Sequence, residues 1–152
     1  MVLEFCGSQT LKKFVHHVKK VKDAEHQEFL NEQAILTESH ERNCQQLFRQ
    51  LIEGVSHLHS RGIYHRDLKL SNILVNSKKV LKIIDLGLAT CQSEPIQSVV
   101  GTPAYYSPQA AAGSAYSARA QDIWSLGIIL FELLYGSNPF YGNQPDSNSR
   151  SC

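Results

Sequence analysis

Eight residues at positions 65–72, HRDLKLSN, constrain the fold of this 152-residue chain more than any other feature. They follow a stretch of apolar residues at helical spacing, which we expect to form a long helix from an N-cap at Thr37 to near Gly62. They precede two short β-type runs, 72–75 and 80–84, separated by a polar turn. The sequence therefore predicts a charged loop held between a buried helix and a β-hairpin.

The regions on either side of this unit have their own patterns. Residues 1–6 form an apolar, strand-like run, and apolar positions then recur at helical spacing over 11–18. Residues 92–113 contain three prolines and no sustained period, which indicates an extended loop long enough to have a function. A strongly apolar helix is predicted over 122–135, and Gly136 is expected to end it.

Composition excludes several classes of protein. The chain has 15 basic and 14 acidic residues, so no overall field attracts it to nucleic acid or to an anionic membrane. The longest apolar run, 126–135, is about half the length of a membrane span of roughly 20 residues. The four cysteines form no C-x-x-C pair, which argues against structural zinc and disulfides. We expect a cytoplasmic or nuclear protein with no nucleic-acid or membrane partner.

The octamer matches the pattern H-R-D-L-K-x-x-N, and an apolar run further on ends at Asp85-Leu86-Gly87. In both motifs the chain resembles the eukaryotic-type Ser/Thr protein kinases. The resemblance implies that Asp67 is the catalytic base, that Lys69 contacts the γ-phosphate of ATP, and that Asn72 and Asp85 hold Mg²⁺. A lysine two residues after the base is typical of Ser/Thr-directed kinases, so the expected partners are protein substrates with Ser or Thr acceptors.

Two further segments extend the resemblance. Residues 101–109, GTPAYYSPQ, are similar to the segment that ends the family's activation loop. There Thr102 would hydrogen-bond to the catalytic base and lysine, and the residues after it would seat the substrate peptide. Residues 122–127, DIWSLG, match a family motif whose Asp, here Asp122, caps a buried helix and accepts hydrogen bonds from the catalytic-loop backbone. We therefore assign Asp122 a structural role.

The resemblance also predicts an ATP site. Residues 1–10 correspond to the last strand of the family's upper lobe and to its hinge, with Leu3 as the gatekeeper. The backbone of Glu4 and Cys6 would bond adenine, and Leu74 would form the floor below the base. The residues assigned to nucleotide binding are Glu4, Cys6, Thr10, Lys69, Asn72, Leu74 and Asp85.

A regulatory site is predicted around Arg66. In this family an arginine before the catalytic Asp usually marks kinases that are activated when a phosphate on the activation loop pairs with it. Ser98 lies at the usual position of that phosphate, although it could equally be an ordinary loop serine. An upstream activating kinase is therefore a predicted partner.

The resemblance covers residues 1–143, and residues 144–152 are expected to be a disordered tail. The family's Gly-rich loop, strand lysine and its paired glutamate have no counterpart in these 152 residues. The expected fold is thus mainly α within an α+β family, a kinase-like C-terminal lobe with a small β-hairpin and essentially no N-terminal lobe. Leu86 replaces the usual Phe as an apolar plug, and Gln109 replaces a Glu.

Three functions remain open on the sequence. The first is a Ser/Thr kinase that uses ATP and Mg²⁺, with the 152 residues alone weak or inactive, and the motifs look somewhat like those of polo-like kinases. The second is a non-catalytic kinase-like module that binds a kinase substrate or regulator through residues 101–109. The third, another class of ATP-binding protein, is disfavoured because the chain has no G-x-x-x-x-G-K-[ST] loop.

Overall fold

The computed structural model describes residues 9–16, 30–92 and 95–140. Residues 11–16 are helical and are called α1. The other helices are α2 (Leu30–Ser60), α3 (Pro108–Ala111) and α4 (Ala118–Tyr135), with short 3₁₀ turns at Leu70–Asn72 and Pro103–Tyr105, and the strands are β1 (Gln9–Thr10), β2 (Ile73–Val75) and β3 (Leu81–Ile83). This content confirms the predicted mainly α class. The expected strand over 1–6 and the tail over 144–152 lie outside the described residues.

Helix α2 is longer than predicted at its N-terminal end. It begins at Leu30, so the prediction that Thr37 is its N-cap is wrong. Residues 30–36, which precede Thr37, include Leu, Glu, Gln and Ala, and these have high intrinsic helix propensity. The helix therefore continues in the N-terminal direction beyond Thr37, although threonine often caps helices. The predicted end is confirmed, because α2 stops at Ser60 and Gly62 takes a left-handed φ of 69°.

The predicted hairpin is confirmed. Strands β2 and β3 pair antiparallel with Ile73 opposite Ile83, and β1 adds a third strand on the other side of β2. The connecting turn is closed by the Asn76 side chain, whose Oδ1 accepts hydrogen bonds from the amides of Lys78 at 3.0 Å and Val80 at 2.9 Å. Asn side chains stabilise turns in this way because they bind backbone donors two or more residues ahead.

Helix α4 begins four residues earlier than predicted, at Ala118 with Ser117 as N-cap. Residues 118–121, ARAQ, lack the apolar period on which the prediction relied, but Ala, Arg and Gln are good helix formers. The predicted end is confirmed, since Gly136 is the C-cap with a left-handed φ of 73°.

The described residues contain two hydrophobic clusters, and the larger one joins α1, α2, α4 and the sheet. Helices α2 and α4 pack against each other, and β3 packs against α2. The residues of the larger cluster exposed by no more than 1% are Leu11, Leu47, Leu51, Leu68, Ile73 and Ile129. Because Leu68 belongs to the 65–72 loop, that loop is fixed to the core from within. Among the described segments, no helix combines the length and the hydropathy of a membrane span.

Candidate active site

The 65–72 loop is anchored by the imidazole of His65, which is fully buried. Its Nε2 lies 3.0 Å from the carbonyl oxygen of Ile84, and its Nδ1 lies 3.3 Å from the amide of Asp67. A carbonyl can only accept and an amide N–H can only donate, so Nε2 carries the proton and Nδ1 is the acceptor. This neutral tautomer ties the loop to the residue that follows β3.

A second anchor is the carboxylate of Asp122, which is 1% exposed. Its Oδ2 accepts from the amide of His65 at 2.9 Å and contacts Nε2 of His59 at 2.8 Å, and its Oδ1 accepts from the amide of Arg66 at 2.8 Å. These bonds hold Arg66 in a left-handed φ of 64°. The predicted contacts with the loop backbone are therefore present. The predicted helix cap is wrong, because Asp122 lies one turn inside α4.

Three polar side chains converge on the carboxylate of Asp67. Lys69 Nζ donates to Asp67 Oδ2 and to Thr102 Oγ1, both at 2.8 Å. Thr102 Oγ1 in turn donates to Asp67 Oδ1 at 2.8 Å. Asn72 Nδ2 donates to Asp67 Oδ2 at 3.1 Å and to its backbone oxygen at 2.9 Å. The sequence predicts the contacts of Thr102, which lies 35 positions from Asp67, and the structure brings both residues together with Lys69.

Gly101 permits this close approach of the 92–113 loop to the catalytic loop. Its φ is 104°, which L-residues with a side chain rarely adopt. A Cβ at this position would lie 2.6 Å from the carbonyl oxygen of Arg66 and 3.3 Å from Asp67 Oδ1. Only glycine therefore lets the backbone come near enough for Thr102 to reach Asp67.

Asn72 and Asp85 lie at the same end of the hairpin, because the amide of Ile84 donates to the carbonyl of Asn72 at 2.9 Å. The Asn72 Nδ2 points at Asp67, which leaves its Oδ1 without a hydrogen bond to any described residue. Asp85 is exposed, and its Oδ1 accepts a 3.3 Å bond from Gly87. Within the described residues no group of three or more His, Cys, Asp or Glu side chains forms a metal cage. One carboxylate and one amide oxygen fit Mg²⁺, which keeps several waters and usually shares its site with substrate phosphates.

Comparison with known proteins identifies the family. A family model described as the protein kinase domain matches residues 1–151. The chain belongs to the protein kinase domain family. It is similar to the serine/threonine-protein kinase PSK1 of Saccharomyces cerevisiae, with 44% identity over 96 residues that cover 62% of this chain and 7% of the relative. It is also 44% identical over 102 residues to CBL-interacting serine/threonine-protein kinase 21 of Arabidopsis thaliana, with 66% of this chain and 24% of the relative covered.

A third relative is the putative CBL-interacting protein kinase 27 of Oryza sativa subsp. japonica, 44% identical over 98 residues, with 61% of this chain and 24% of the relative covered. The chain thus spans less than a quarter of the length of these three relatives. None of the three is named a polo-like kinase, so that subfamily stays a prediction.

The nucleotide site predicted from the sequence lies only partly within the described residues. Glu4 and Cys6 lie outside the described residues. Thr10 in β1 and Leu74 in β2 are cross-strand partners, so the sheet brings them together. Both side chains are partly exposed, as residues next to a ligand cleft would be.

The predicted regulatory residues are not in contact in the described structure. Arg66 Nε donates to the carbonyl of Leu88 at 2.7 Å. Ser98 is exposed, and its carbonyl accepts a 2.9 Å bond from Tyr116. No hydrogen bond in the described residues joins Ser98 to Arg66, and the phosphosite assignment stays a prediction.

Leu86, predicted to be an apolar plug, is largely exposed in the described structure. Its side chain is 50% exposed at the edge of a cleft of about 160 Å³ between α2 and β3. Leu81 and Ile83 line the same cleft and are only partly buried. Among the described residues nothing covers this side of Leu86, so its apolar surface faces solvent.

The sequence did not reveal the contact of the partly buried Tyr105 with the buried Glu132. The Tyr105 hydroxyl donates to Glu132 at 2.8 Å to Oε2 and 3.1 Å to Oε1. Burial raises the pKa of Glu132, and the hydrogen bond from Tyr105 opposes that rise. Burial and the nearby carboxylate both raise the pKa of Tyr105. The one acidic residue in the apolar run 126–135 was the signal for this contact, since a buried carboxylate needs a partner.

Proposed function

We propose that this chain carries the catalytic residues of a Ser/Thr protein kinase that transfers the γ-phosphate of MgATP to Ser or Thr hydroxyls of protein substrates. The observation that carries the proposal is the set of contacts around Asp67. Both carboxylate oxygens are held by hydrogen bonds, so the group is fixed before a substrate arrives. A prepositioned carboxylate beside a cation is what phosphoryl transfer requires of a protein.

Each residue of the set has a distinct task in this reaction. Asp67 orients the acceptor hydroxyl and accepts its proton. Lys69, whose ammonium lies 2.8 Å from Asp67 Oδ2, supplies positive charge where the transferring phosphoryl group passes. Asn72 and Asp85 would hold Mg²⁺, which neutralises phosphate charge when it is bound. Thr102 fixes the positions of the base and the lysine relative to each other through its two 2.8 Å hydrogen bonds.

Ser and Thr acceptors follow from two observations. Lys69 stands two residues after the base, and the relatives PSK1 and CBL-interacting kinase 21 are named serine/threonine-protein kinases. Protein substrates and an upstream activating kinase are the partners that this function implies. We also propose a cytoplasmic or nuclear location, supported by the near-neutral charge and the absence of a cysteine framework in the sequence.

The test is the substitution Asp67→Asn, which preserves shape but removes the base. We expect kcat for transfer of radiolabelled phosphate from MgATP to Ser/Thr peptides to fall by about 10²- to 10⁴-fold. Glu53→Gln is the control, since it makes the same chemical change at an exposed pair with Arg49. An Asp67→Asn protein as active as wild type would show that Asp67 is not the base. Because the 152 residues alone are expected to be weak or inactive, both variants are made in the full-length protein that contains them, and absence of phosphoryl transfer by that wild-type protein would refute the kinase proposal itself.

One observation favours the non-catalytic binding module as a second candidate. A cleft of about 590 Å³ lies beside the 101–109 segment and is lined by Ser107, Tyr116, Ile123 and Trp124 among others. Its volume is in the range of known ligand sites. A protein that bound a kinase substrate without phosphorylating it, and whose binding Ile123→Glu abolished, would support this reading.

A further inference from the structure

Gln121 joins α4 to the segment 105–107 through its side-chain amide and is only 2% exposed. Its Oε1 accepts from the amide of Ser107 at 2.9 Å. Its Nε2 donates to the carbonyl of Tyr105 at 2.8 Å and to Ser125 Oγ at 3.1 Å. Ser125 Oγ adds a 3.1 Å bond to the same carbonyl. The amide therefore uses both of its donors and its oxygen inside the protein.

The spacing of these contacts explains what the amide recognises. In an extended chain the C=O of one residue and the N–H two residues later point to the same side. Tyr106, between the two bonded residues, is extended, with φ −69° and ψ 137°. A carboxamide presents an acceptor and a donor side by side, so Gln121 pairs with this backbone as a neighbouring strand would. It thereby fixes the extended conformation of Tyr106.

That conformation is transmitted towards the catalytic base. The Tyr106 hydroxyl donates to the carbonyl of Gly101 at 3.0 Å. Gly101 precedes Thr102, which is bonded to Asp67. The Tyr106 side chain therefore connects the segment held by Gln121 to Gly101 and Thr102, next to the base. By resemblance to the kinase family, the same segment seats the substrate peptide.

We propose that Gln121 is a positioning residue that holds the 105–107 backbone in the shape required to dock the substrate peptide. The inference rests on the proposed kinase function. Gln121 acts through this backbone and touches neither substrate nor nucleotide, so its loss should weaken peptide binding and leave ATP binding unchanged.

The test compares Gln121→Met with a matched control, Gln50→Met. Met preserves side-chain length but removes all three hydrogen bonds of the carboxamide. Gln50 makes the same type of contact with a different segment, because it accepts from the amide of Leu81 at 3.1 Å and donates to the carbonyl of Lys79 at 2.9 Å. Three quantities are measured on each purified full-length protein: hydrogen exchange of the Ser107 amide by NMR, the KM for peptide and the KM for ATP. The same kinetic curves give kcat.

In Gln121→Met we expect exchange of the Ser107 amide to accelerate about tenfold or more, because that N–H loses its partner. The KM for peptide should rise about 3- to 10-fold and the KM for ATP should change by less than twofold. Gln50→Met should match wild type in all three quantities. If Gln121→Met fails to fold, Ser125→Ala removes one donor to the Tyr105 carbonyl and should raise the peptide KM in the same direction.

Two results would overturn the proposal: unchanged exchange at Ser107, or a loss of kcat with both KM values unchanged. The second is what a merely structural role predicts, since it lowers the fraction of active enzyme. A full-length wild-type protein without phosphotransferase activity would refute the proposed kinase function instead. In that case the exchange at Ser107 still decides whether Gln121 positions the segment.

Discussion

The substitution Asp122→Asn tests how the catalytic loop is held. Asp122 is buried, accepts from the amides of His65 and Arg66 and contacts His59, all at 2.8–2.9 Å. An asparagine offers one carbonyl oxygen, which can keep the two bonds at the Oδ2 position. The Arg66 amide then faces an NH₂ group and loses its partner, at a cost of about 1–3 kcal/mol. The other two bonds lose charge assistance, at about 1 kcal/mol each.

We therefore expect Asp122→Asn to lower the free energy of unfolding by about 3–5 kcal/mol, a large part of the 5–15 kcal/mol typical of a domain. Urea unfolding followed by fluorescence of Trp124, the only tryptophan, measures the change. The control Glu53→Gln should change stability by less than about 0.5 kcal/mol, because its pair with Arg49 is exposed. A loss below about 1 kcal/mol for Asp122→Asn would refute the assignment of Asp122 as the anchor of the loop.

Two further predictions concern Gly101 and Glu132. Gly101→Ala should lower kcat and cost about 2–4 kcal/mol in urea unfolding, because its Cβ would lie 2.6 Å from the Arg66 carbonyl. The control Gly113→Ala, at φ 67° with no atom within 4 Å of the new Cβ, should lower the free energy of unfolding by only about 1–2 kcal/mol. Equal losses of stability at both glycines would contradict the steric argument. Burial raises the folded pKa of Glu132 above its ordinary 4.5, so the stability it contributes is fully present below pH 4.5 and is lost as the pH rises through the folded pKa. Glu132→Gln keeps an acceptor for Tyr105 but cannot ionise. The free energy of unfolding of this variant, relative to that of wild type, should therefore increase with pH between 4.5 and 8. A difference independent of pH would show that burial does not destabilise the carboxylate.

Much of the framework could be predicted from local patterns. The ends of α2 and α4 at Gly62 and Gly136 follow from glycine's tolerance of positive φ. The hairpin follows from two apolar runs around a polar turn, and the loop 65–72 was expected between helix and hairpin. The starts of both helices were wrong, since intrinsic propensity extends a helix beyond its apolar period. Helix boundaries depend on small energy differences that a single cap residue does not settle.

The chain by itself determined which residues can do the chemistry: a carboxylate, a lysine and an amide at fixed spacing in positions 65–72. Only the tertiary structure decided how these groups are held. Thr102 reaches Asp67, 35 positions away in the sequence, because Gly101 lets its own backbone approach that of Arg66. Gln121 binds the 105–107 backbone from helix α4. Such bonds join a side chain to a distant group whose position depends on how α2, α4 and the sheet pack. No local pattern encodes that geometry, because the same glutamine on an exposed helix face would bond to water.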